Sequence, residues 1–191
     1  MSRCAADILP KRSMAELAAP LELAPVRLEP LDDRHVEPLR AVCAEDQEIW
    51  EIYPANFGGE QFDTALGMMR TMSDWTNFAA VDCATGEVVG MSHYIRPTIY
   101  GVIEIGGTYI TPRVRGGAFN HAMKKLMIER AFEQGFVKVE FRVDTRNHRS
   151  MRAVEKLGAV REGTIRQDIV TWTGYRRDTA LYGLLKSEWT G

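Results

Sequence analysis

The segment Gly101-Val-Ile-Glu-Ile-Gly-Gly-Thr-Tyr-Ile110 is followed, after two residues, by Arg113-Val-Arg-Gly-Gly-Ala-Phe-Asn120. The first segment has the apolar, β-branched composition of a strand, and helical spacing of apolar residues predicts a helix over 119–134. A second strand is predicted over 136–143, and Asn147-His-Arg-Ser150 then opens another helix. The pattern is therefore strand, glycine-rich turn, helix, strand and helix.

The turn between the first strand and the first helix is suited to an anion. Small residues let a phosphate approach the backbone, and a helix N-terminus offers unpaired N–H groups and partial positive charge. Arg113 and Arg115 add formal charge. The spacing fits neither a P-loop nor the Gly-x-Gly-x-x-Gly of a dinucleotide-binding fold. A turn that merely connects a strand to a helix is the alternative.

Five ordered motifs resemble the GNAT superfamily of N-acetyltransferases, and within it the RimJ/RimL-like branch. The resemblance covers about residues 26–189 and implies a single GNAT-like domain that binds acetyl-CoA. It further implies transfer of the acetyl group to a primary amine of a small molecule, an amino-acid derivative or a protein N-terminus. The motifs are Glu104-Ile-Gly-Gly-Thr-Tyr109, Arg115-Gly-Gly-Ala-Phe-Asn120, Val143-Asp-Thr-Arg-Asn-His-Arg-Ser150, Leu157-Gly-Ala-Val-Arg-Glu-Gly163 and Arg177-Asp-Thr-Ala-Leu-Tyr182.

The resemblance implies which residues hold the cofactor. The family's loop pattern, Arg/Gln-x-x-Gly-x-Gly/Ala, can be aligned from Arg113 or from Arg115, and both alignments place the pyrophosphate over residues 115–120. Asn147 is expected to contact the pantetheine arm, although it also suits the N-cap of the second helix. The expected cofactor-binding residues are Tyr109, Ile110, Arg115, Gly116, Gly117, Ala118, Phe119, Asn120 and Asn147.

Acetyl transfer needs a neutral amine and a proton for the departing thiolate, and three residues are candidates for these tasks. Glu104 is the expected base, since apolar neighbours can raise its pKa by desolvation. A hydrogen-bonded strand glutamate that only shapes the pocket is the alternative. The expected proton donor is Ser150, with Tyr182 as its rival. Five aromatic residues either line an acceptor pocket or belong to the core: Trp50, Tyr53, Phe57, Trp75 and Trp172.

Composition bounds the class of protein. The chain has 191 residues, 45% of them hydrophobic, with a net charge of −2, which fits one globular domain and gives no reason to expect nucleic acid or a membrane as partner. Three cysteines form no CxxC pair, and four dispersed histidines show no metal-ligand spacing, so we expect reduced thiols, a cytoplasmic location and no metal.

The remaining pattern predicts an α+β fold, with helices flanking a mixed, mostly antiparallel sheet. A strand starts near Val26, helices are expected around 36–43 and 61–74, and a hairpin spans 77–95. An antiparallel pair over 165–172 and 179–186 ends the chain. Residues 23–191 are expected to form the acetyltransferase domain. Residues 1–22 are expected to be a tail, either mobile or with a short helix near 14–18.

Two functions of different class follow from these observations. The first is an acetyl-CoA-dependent N-acetyltransferase that works by direct transfer, and the presence of candidate base and donor residues favours it. The alternative is a non-catalytic acyl-CoA-binding or sensing module. The resemblance also allows a homodimer, while the sequence does not identify the amine acceptor.

Overall fold

A computed structural model describes residues 14–191 of the chain. The helices are α1 (Met14–Leu17), α2 (Val36–Cys43), α3 (Phe62–Thr71), α4 (Ala118–Glu133) and α5 (His148–Glu155). The strands are β1 (Leu21–Leu23), β2 (Val26–Pro30), β3 (Trp75–Asp82), β4 (Val88–Ile95), β5 (Val102–Ile110), β6 (Lys138–Asp144), β7 (Val160–Val170) and β8 (Arg176–Leu185).

The eight strands form one sheet in the order β1-β2-β3-β4-β5-β6-β8-β7. The β5–β6 pair is parallel and the other neighbouring pairs are antiparallel. A parallel pair needs a long crossover, and α4 supplies it between β5 and β6. The expected α+β architecture, with a mixed and mostly antiparallel sheet, is confirmed.

Helices cover both faces of the sheet. On one face, buried side chains of α4 such as Met123 and Met127 join residues of the central strands and of α5 in one hydrophobic cluster. On the other face, a second cluster contains Leu39 of α2, Phe62 of α3 and Tyr109 of β5. Because side chains alternate along a strand, the central strands contribute to both clusters.

The parallel pair is short. Strands β5 and β6 are in register only from Val102–Glu104 opposite 138–140. Beyond that point β5 continues to Ile110 and β6 to Asp144 without pairing to each other. The sheet therefore opens into a fork at the carboxyl ends of its two parallel strands. Ligands of sheets with parallel strands bind at such a position.

Some boundaries differ from the expected ones. Helix α3 ends at Thr71, because Met72 already has extended backbone and leads into β3. The last hairpin begins earlier, at Val160, on an exposed edge strand whose side chains show no alternating burial. A short helix does form near residue 14, and the boundary expected after residue 22 falls inside β1. Residues 1–13 of the expected tail lie outside the described residues.

Helix α2 is preceded by a 3₁₀ turn, Asp33–His35, that Asp32 caps in a capping box with His35. The Asp32 side chain accepts a hydrogen bond from the Arg34 N–H at 3.1 Å. Within residues 14–191, no helix combines the length and apolar character that crossing a bilayer requires.

Candidate active site

The glycine-rich turn ends on an open helix N-terminus. Gly116 has φ +78°, a left-handed conformation that glycine adopts without strain, and Gly117 is the N-cap of α4. No side chain caps this 16-residue helix, and its first turn contains no acidic residue. A Cβ added at Gly116 or at Gly117 would meet no atom within 4 Å. The N–H groups at the start of α4 thus face free space, as an anion site requires.

Of the expected loop residues, Phe119 has its side chain in the core, whereas Gly116, Gly117 and Ala118 are exposed. Phe119 can therefore serve a cofactor only through its backbone. Asn120, on the first turn of α4, is partly buried. The structure brings residues 116–120 together at one helix start, and their contact with pyrophosphate stays a prediction.

Basic residues near the turn are mostly engaged by the protein. Arg115 donates from Nε to the Ile110 carbonyl at 2.8 Å and forms an ion pair with Asp46. Arg113 pairs with Glu87 at 2.8 Å. The cofactor phosphates would therefore be held chiefly by backbone N–H groups, with Arg115 as a fixed positive charge beside them.

Lys124 of α4 is a buried cation. Its side chain lies between α4 and the sheet. The ammonium donates to Thr108 Oγ1 at 2.5 Å and lies 3.4 Å from Ser92 Oγ. Burial lowers the pKa of Lys124 to about 7. Its hydroxyl partners belong to strands distant in sequence, so no local pattern identifies this environment.

Two of the expected cofactor ligands, Tyr109 and Ile110, lie where β5 borders the fork. The Tyr109 hydroxyl donates to the Val42 carbonyl at 2.7 Å, and its ring stacks on Trp50 with centroids 4.7 Å apart. Ile110 is likewise buried. Both side chains therefore belong to the interior, and only their backbone groups are available to a ligand in the fork.

Asn147 is the N-cap of α5. Its Oδ1 accepts a hydrogen bond from the Ser150 N–H at 3.0 Å, which confirms the capping role. The hydroxyl of Ser150 makes no hydrogen bond within residues 14–191 and is partly buried. Cap formation uses the amide oxygen of Asn147 and leaves its NH₂ group for other partners. Contacts of Asn147 and Ser150 with the cofactor stay predictions.

Glu104 lies at the point where the sheet divides, since it is the last β5 residue paired to β6. Its side chain is 11% exposed and pairs with Arg96 Nη2 at 2.5 Å, and Arg142 Nε lies 3.9 Å away. Burial raises the pKa of Glu104, while the two arginines act in the opposite direction. A Cβ on Gly106 would come within 2.8 Å of the Glu104 carboxylate, so this glycine makes room for it.

Arg96 and Arg142 were missed by the sequence reasoning, although they define the environment of Glu104. Arg96 has φ +49°, an unfavourable conformation for a residue with a side chain, and such strain is concentrated at functional sites. Arg142 comes from β6, and only the strand register places it near Glu104. Alternation along the predicted strand 136–143 could have placed Arg142 opposite its apolar face, but not beside Glu104.

His93 is a further buried residue that the sequence did not single out. Its ring occupies the space beside Gly107, where a Cβ would lie 2.4 Å from His93 Cδ2. Burial and the charge of Lys124 lower the pKa of His93 to about 3, so the ring is neutral. Nδ1 is buried without a hydrogen-bond partner among the described residues.

Tyr182 lies on the opposite face of the sheet from Glu104. Glu104 pairs with Glu140, the next residue Phe141 points to the other face, and Tyr182 pairs with Phe141. The Tyr182 hydroxyl donates to Glu155 of α5 at 2.8 Å. The structure therefore does not bring Tyr182 and Glu104 together, and the role of Tyr182 as a proton donor stays a prediction.

The five aromatic residues divide between core and surface. Trp50 and Phe57 are buried, whereas Trp172 is 46% exposed and donates from Nε1 to the Trp50 carbonyl at 2.7 Å. The Tyr53 hydroxyl donates to the Thr108 carbonyl of β5 at 2.5 Å. These contacts hold residues 48–57 and the β7–β8 turn against each other and β5. Trp75 is partly buried and packs against His93.

Residues 14–191 contain no group of three or more histidine, cysteine or acidic side chains placed to hold a metal ion. The two cysteines in this range are free, and burial raises the pKa of the Cys43 thiol.

Structures of known proteins share this architecture. A probable acetyltransferase of the GNAT family from Chromobacterium violaceum ATCC 12472 superimposes with a TM-score of 0.85 at 28% identity, over 98% of this chain and 95% of the other. A GCN5-related N-acetyltransferase from Brucella melitensis has a TM-score of 0.82 at 30% identity, over 94% and 82%.

A more distant structure shares the fold alone. It is the spermidine N-acetyltransferase from Vibrio cholerae in complex with CoA and spermine, with a TM-score of 0.70 at 16% identity, over 87% of this chain and 98% of the other. No curated protein matches the chain significantly in sequence. The family described as "Acetyltransferase (GNAT) domain" matches residues 26–160. With its forked sheet and open α4 N-terminus, this chain belongs to the GNAT family of acetyltransferases.

Proposed function

We propose that the protein is an N-acetyltransferase that moves an acetyl group from acetyl-CoA to a primary amine by direct transfer. One observation supports this most: the fork between β5 and β6 has the open N-terminus of α4 at its end and Glu104 at its base. The uncapped N–H groups, which we propose as the anion site, and a buried carboxylate therefore lie along one opening. Bound acetyl-CoA would supply the thioester whose acetyl group is transferred.

The chain's own residues fit this cosubstrate. The N–H groups of α4 and the two uncrowded glycines provide a cradle for a pyrophosphate, and the unpaired edge of β5 can bind an amide-containing arm. The NH₂ group of Asn147, at the start of α5, provides a further donor near the end of β6. These features hold and orient the reacting groups, which accounts for much of the acceleration in a direct transfer.

Glu104 is proposed as the base that takes the proton from the amine. A buried carboxylate with a raised pKa is a stronger base than an exposed one, and the Arg96 pair holds it in one orientation. Ser150 is proposed as the proton donor to the leaving thiolate, since its hydroxyl has no partner within the described residues. Tyr182 is the rival donor, and it would first have to release Glu155.

The acceptor is proposed from the motifs that resemble the RimJ/RimL-like branch: a small amine, an amino-acid derivative or a protein N-terminus. The spermidine acetyltransferase with the same fold supports an amine in general and does not select one of these. We also propose that the protein works in the cytoplasm, as a monomer or homodimer, without nucleic acid, membrane or metal.

Two measurements test the proposed function. Acetyl-CoA should raise the melting temperature, because a ligand that binds only the folded state stabilises it. Incubation with acetyl-CoA and a panel of amines and short peptides should release free thiol only when an acceptor is present. Binding without thiol release across the panel would support the non-catalytic acyl-CoA-binding module instead, and absence of binding would exclude both functions.

A further inference from the structure

The sheet face that carries Glu104 also carries a row of charged residues. Glu140 pairs with Glu104 across the parallel strands, so the two side chains lie on the same face. Arg142 and Asp144 follow Glu140 at intervals of two residues and therefore share that face. The row extends from the base of the fork toward the carboxyl end of β6.

Strand β8 continues this row with Arg177. Thr179 pairs with Asp144 in an uninterrupted register, and Arg177 precedes Thr179 by two residues. The Arg177 Nε donates to Thr179 Oγ1 at 3.1 Å, which places both side chains on one side of the strand. Besides burial, the charges of Asp144, Asp168 and Glu104, in decreasing order, act on the pKa of Arg177, so these carboxylates lie around its guanidinium without forming an ion pair with it.

Arg177 is a buried cation without a carboxylate partner. It is 5% exposed, forms no ion pair within 4 Å among residues 14–191, and its only hydrogen bond is the one to Thr179. A guanidinium has five N–H donors, so the four on Nη1 and Nη2 have no partner in the part of the chain described here. Burial lowers the pKa of Arg177, as expected for a charge removed from water.

The neighbouring arginines on this face are paired. Arg96 binds Glu104 at 2.5 Å, and Arg142 lies 3.5 Å from Asp168. Asp144 accepts from both the backbone and the guanidinium of Arg146, so its carboxylate is occupied. Neither Nη1 nor Nη2 of Arg177 is among the completely buried unsatisfied atoms of the described residues, so both remain accessible to a ligand. An anion that paired with this largely buried guanidinium would offset the free energy lost when the charge was removed from water.

We propose that Arg177 binds a carboxylate of the acceptor, so that the substrate is an amino-acid-like amine with a free carboxyl group. The planar fork of an arginine matches a carboxylate in two parallel hydrogen bonds. The acceptor's amine would approach Glu104 and its carboxylate Arg177, on the same face of the sheet. This inference rests on the proposed function and specifies its substrate class.

Matched pairs of acceptors test it. Each free amino acid of a panel is compared with its own carboxamide, which has the same amine and side chain but no negative charge. The wild-type protein should acetylate the acids with higher kcat/KM. Arg177→Gln should lower kcat/KM for the acids by about 10–100-fold, as expected for a lost hydrogen bond to a charged group, and leave the carboxamides nearly unchanged.

Controls separate this result from a folding defect and from an effect on the cofactor. The acetyl-CoA-induced rise in melting temperature should be the same in Arg177→Gln and wild type. A loss of acetyl-CoA binding in the variant would mean that Arg177 serves a cofactor phosphate, and would overturn the proposal. If Arg177→Gln does not fold, Arg177→Lys is used, which keeps the charge but not the planar fork and should lose part of the preference for acids.

A binding assay without turnover completes the test. N-acetylated amino acids, which would be the products, should raise the melting temperature of the wild-type protein more than their carboxamides do, and Arg177→Gln should abolish the difference. Equal treatment of acids and carboxamides in both assays would overturn the carboxylate site while leaving the acetyltransferase function intact. Absence of any acetylation would contradict the proposed function. The product-binding assay would still test whether Arg177 binds a carboxylate.

Discussion

At the scale of single residues, Glu104 combines burial with two arginine neighbours. Burial favours the protonated carboxyl, whereas Arg96 and Arg142 favour the carboxylate, and the net effect is a raised pKa. A base with a raised pKa accepts a proton more readily, but it loses activity when the pH falls below that pKa. The pH dependence of the reaction therefore reports on this one side chain.

We expect Glu104→Gln to reduce turnover by about 10²–10⁴-fold while acetyl-CoA affinity is retained, because glutamine keeps the shape but accepts no proton. The defect should shrink at high pH, where more of the acceptor amine is already neutral. Steady-state kinetics from pH 6 to 10 measure both effects. Glu162→Gln, which removes an exposed carboxylate paired with Lys138, is the control. Wild-type turnover and pH dependence in Glu104→Gln would rule out Glu104 as the base.

Asn147 has a structural role and a proposed binding role that two substitutions can separate. Asn147→Ala should cost about 0.5–2 kcal/mol of stability through the lost cap and should also raise the KM for acetyl-CoA. Asn147→Asp keeps an oxygen that can accept from the Ser150 N–H, so stability should be retained while KM still rises. Denaturation curves measure the stability of both variants, and steady-state kinetics measure their KM for acetyl-CoA. An unchanged KM in Asn147→Asp would mean that Asn147 is only a cap.

Sequence reasoning selected several residues of the candidate site but not their partners in the fold. Glu104, Asn147 and the loop residues were identifiable because each belongs to a local motif. The ion pair of Arg115 with Asp46 and that of Glu104 with Arg96 depend on tertiary contacts or on a strained backbone. The opposite orientation of Tyr182 depends on strand register, which short motifs do not specify.

At the scale of elements, the first N–H groups of α4 are not capped by a side chain, which makes the helix less stable but leaves the donors available to an anion. Gly117 is an N-cap without a side chain, in an extended conformation that any residue can adopt, and it faces open space. A polar residue at this position would satisfy one of the unpaired N–H groups. The absence of a cap thus leaves these donors to a ligand.

Gly117→Asp should therefore change stability and binding in opposite directions. The aspartate can cap α4, so the free protein should gain a few tenths of a kcal/mol, while its charge should weaken acetyl-CoA binding by tenfold or more, on the order of 1.4 kcal/mol. Gly117→Ser, which caps without charge, is the matched control and should bind more tightly than the aspartate variant. Melting curves with and without acetyl-CoA measure both quantities. Unaltered affinity in a folded aspartate variant would exclude this helix start from the site.

Most elements were predictable because their apolar periodicity follows from burial on one face. The expected helix over 119–134 is confirmed at Ala118–Glu133, and the expected strand over 136–143 at Lys138–Asp144. Strand β7 was predicted too short, since its exposed edge position and two irregularities of register remove the alternation that identifies a strand. The end of α3 was missed for a similar reason: apolar Met72 lies just beyond it.

At the scale of the whole molecule, the buried ammonium of Lys124 opposes folding. Its pKa falls from the ordinary value near 10.5 to about 7 on burial. A group with a lowered pKa binds fewer protons in the folded state, so its destabilising effect is absent above pH ~10.5. The effect grows as the pH falls toward 7 and is constant below it.

Lys124→Met should stabilise the protein, by about 4 kcal/mol near pH 7, with the gain disappearing toward pH ~10.5. Ser92 and Thr108 hydrogen bond to each other at 2.7 Å, so their hydroxyls keep a partner when the ammonium is removed. Urea denaturation at several pH values gives the free energies. The control is Lys125→Met, which removes a partly buried ammonium that is paired with Glu129. A pH-independent difference between wild type and Lys124→Met would contradict a lowered pKa.

The division of the sheet has a consequence for how distant substitutions act. The ligand opening is produced where hydrogen bonding between two strands stops, so its width depends on the angle at which two rigid parts of the sheet meet. That angle is set where β5 and β6 are still hydrogen bonded to each other. Ile103 and Val139 pair in this short region, and both are completely buried. A change in side-chain volume there would reorient every group along the opening without touching a bound molecule. Selection on affinity can therefore act through the hydrophobic core as well as through the residues that contact the ligand.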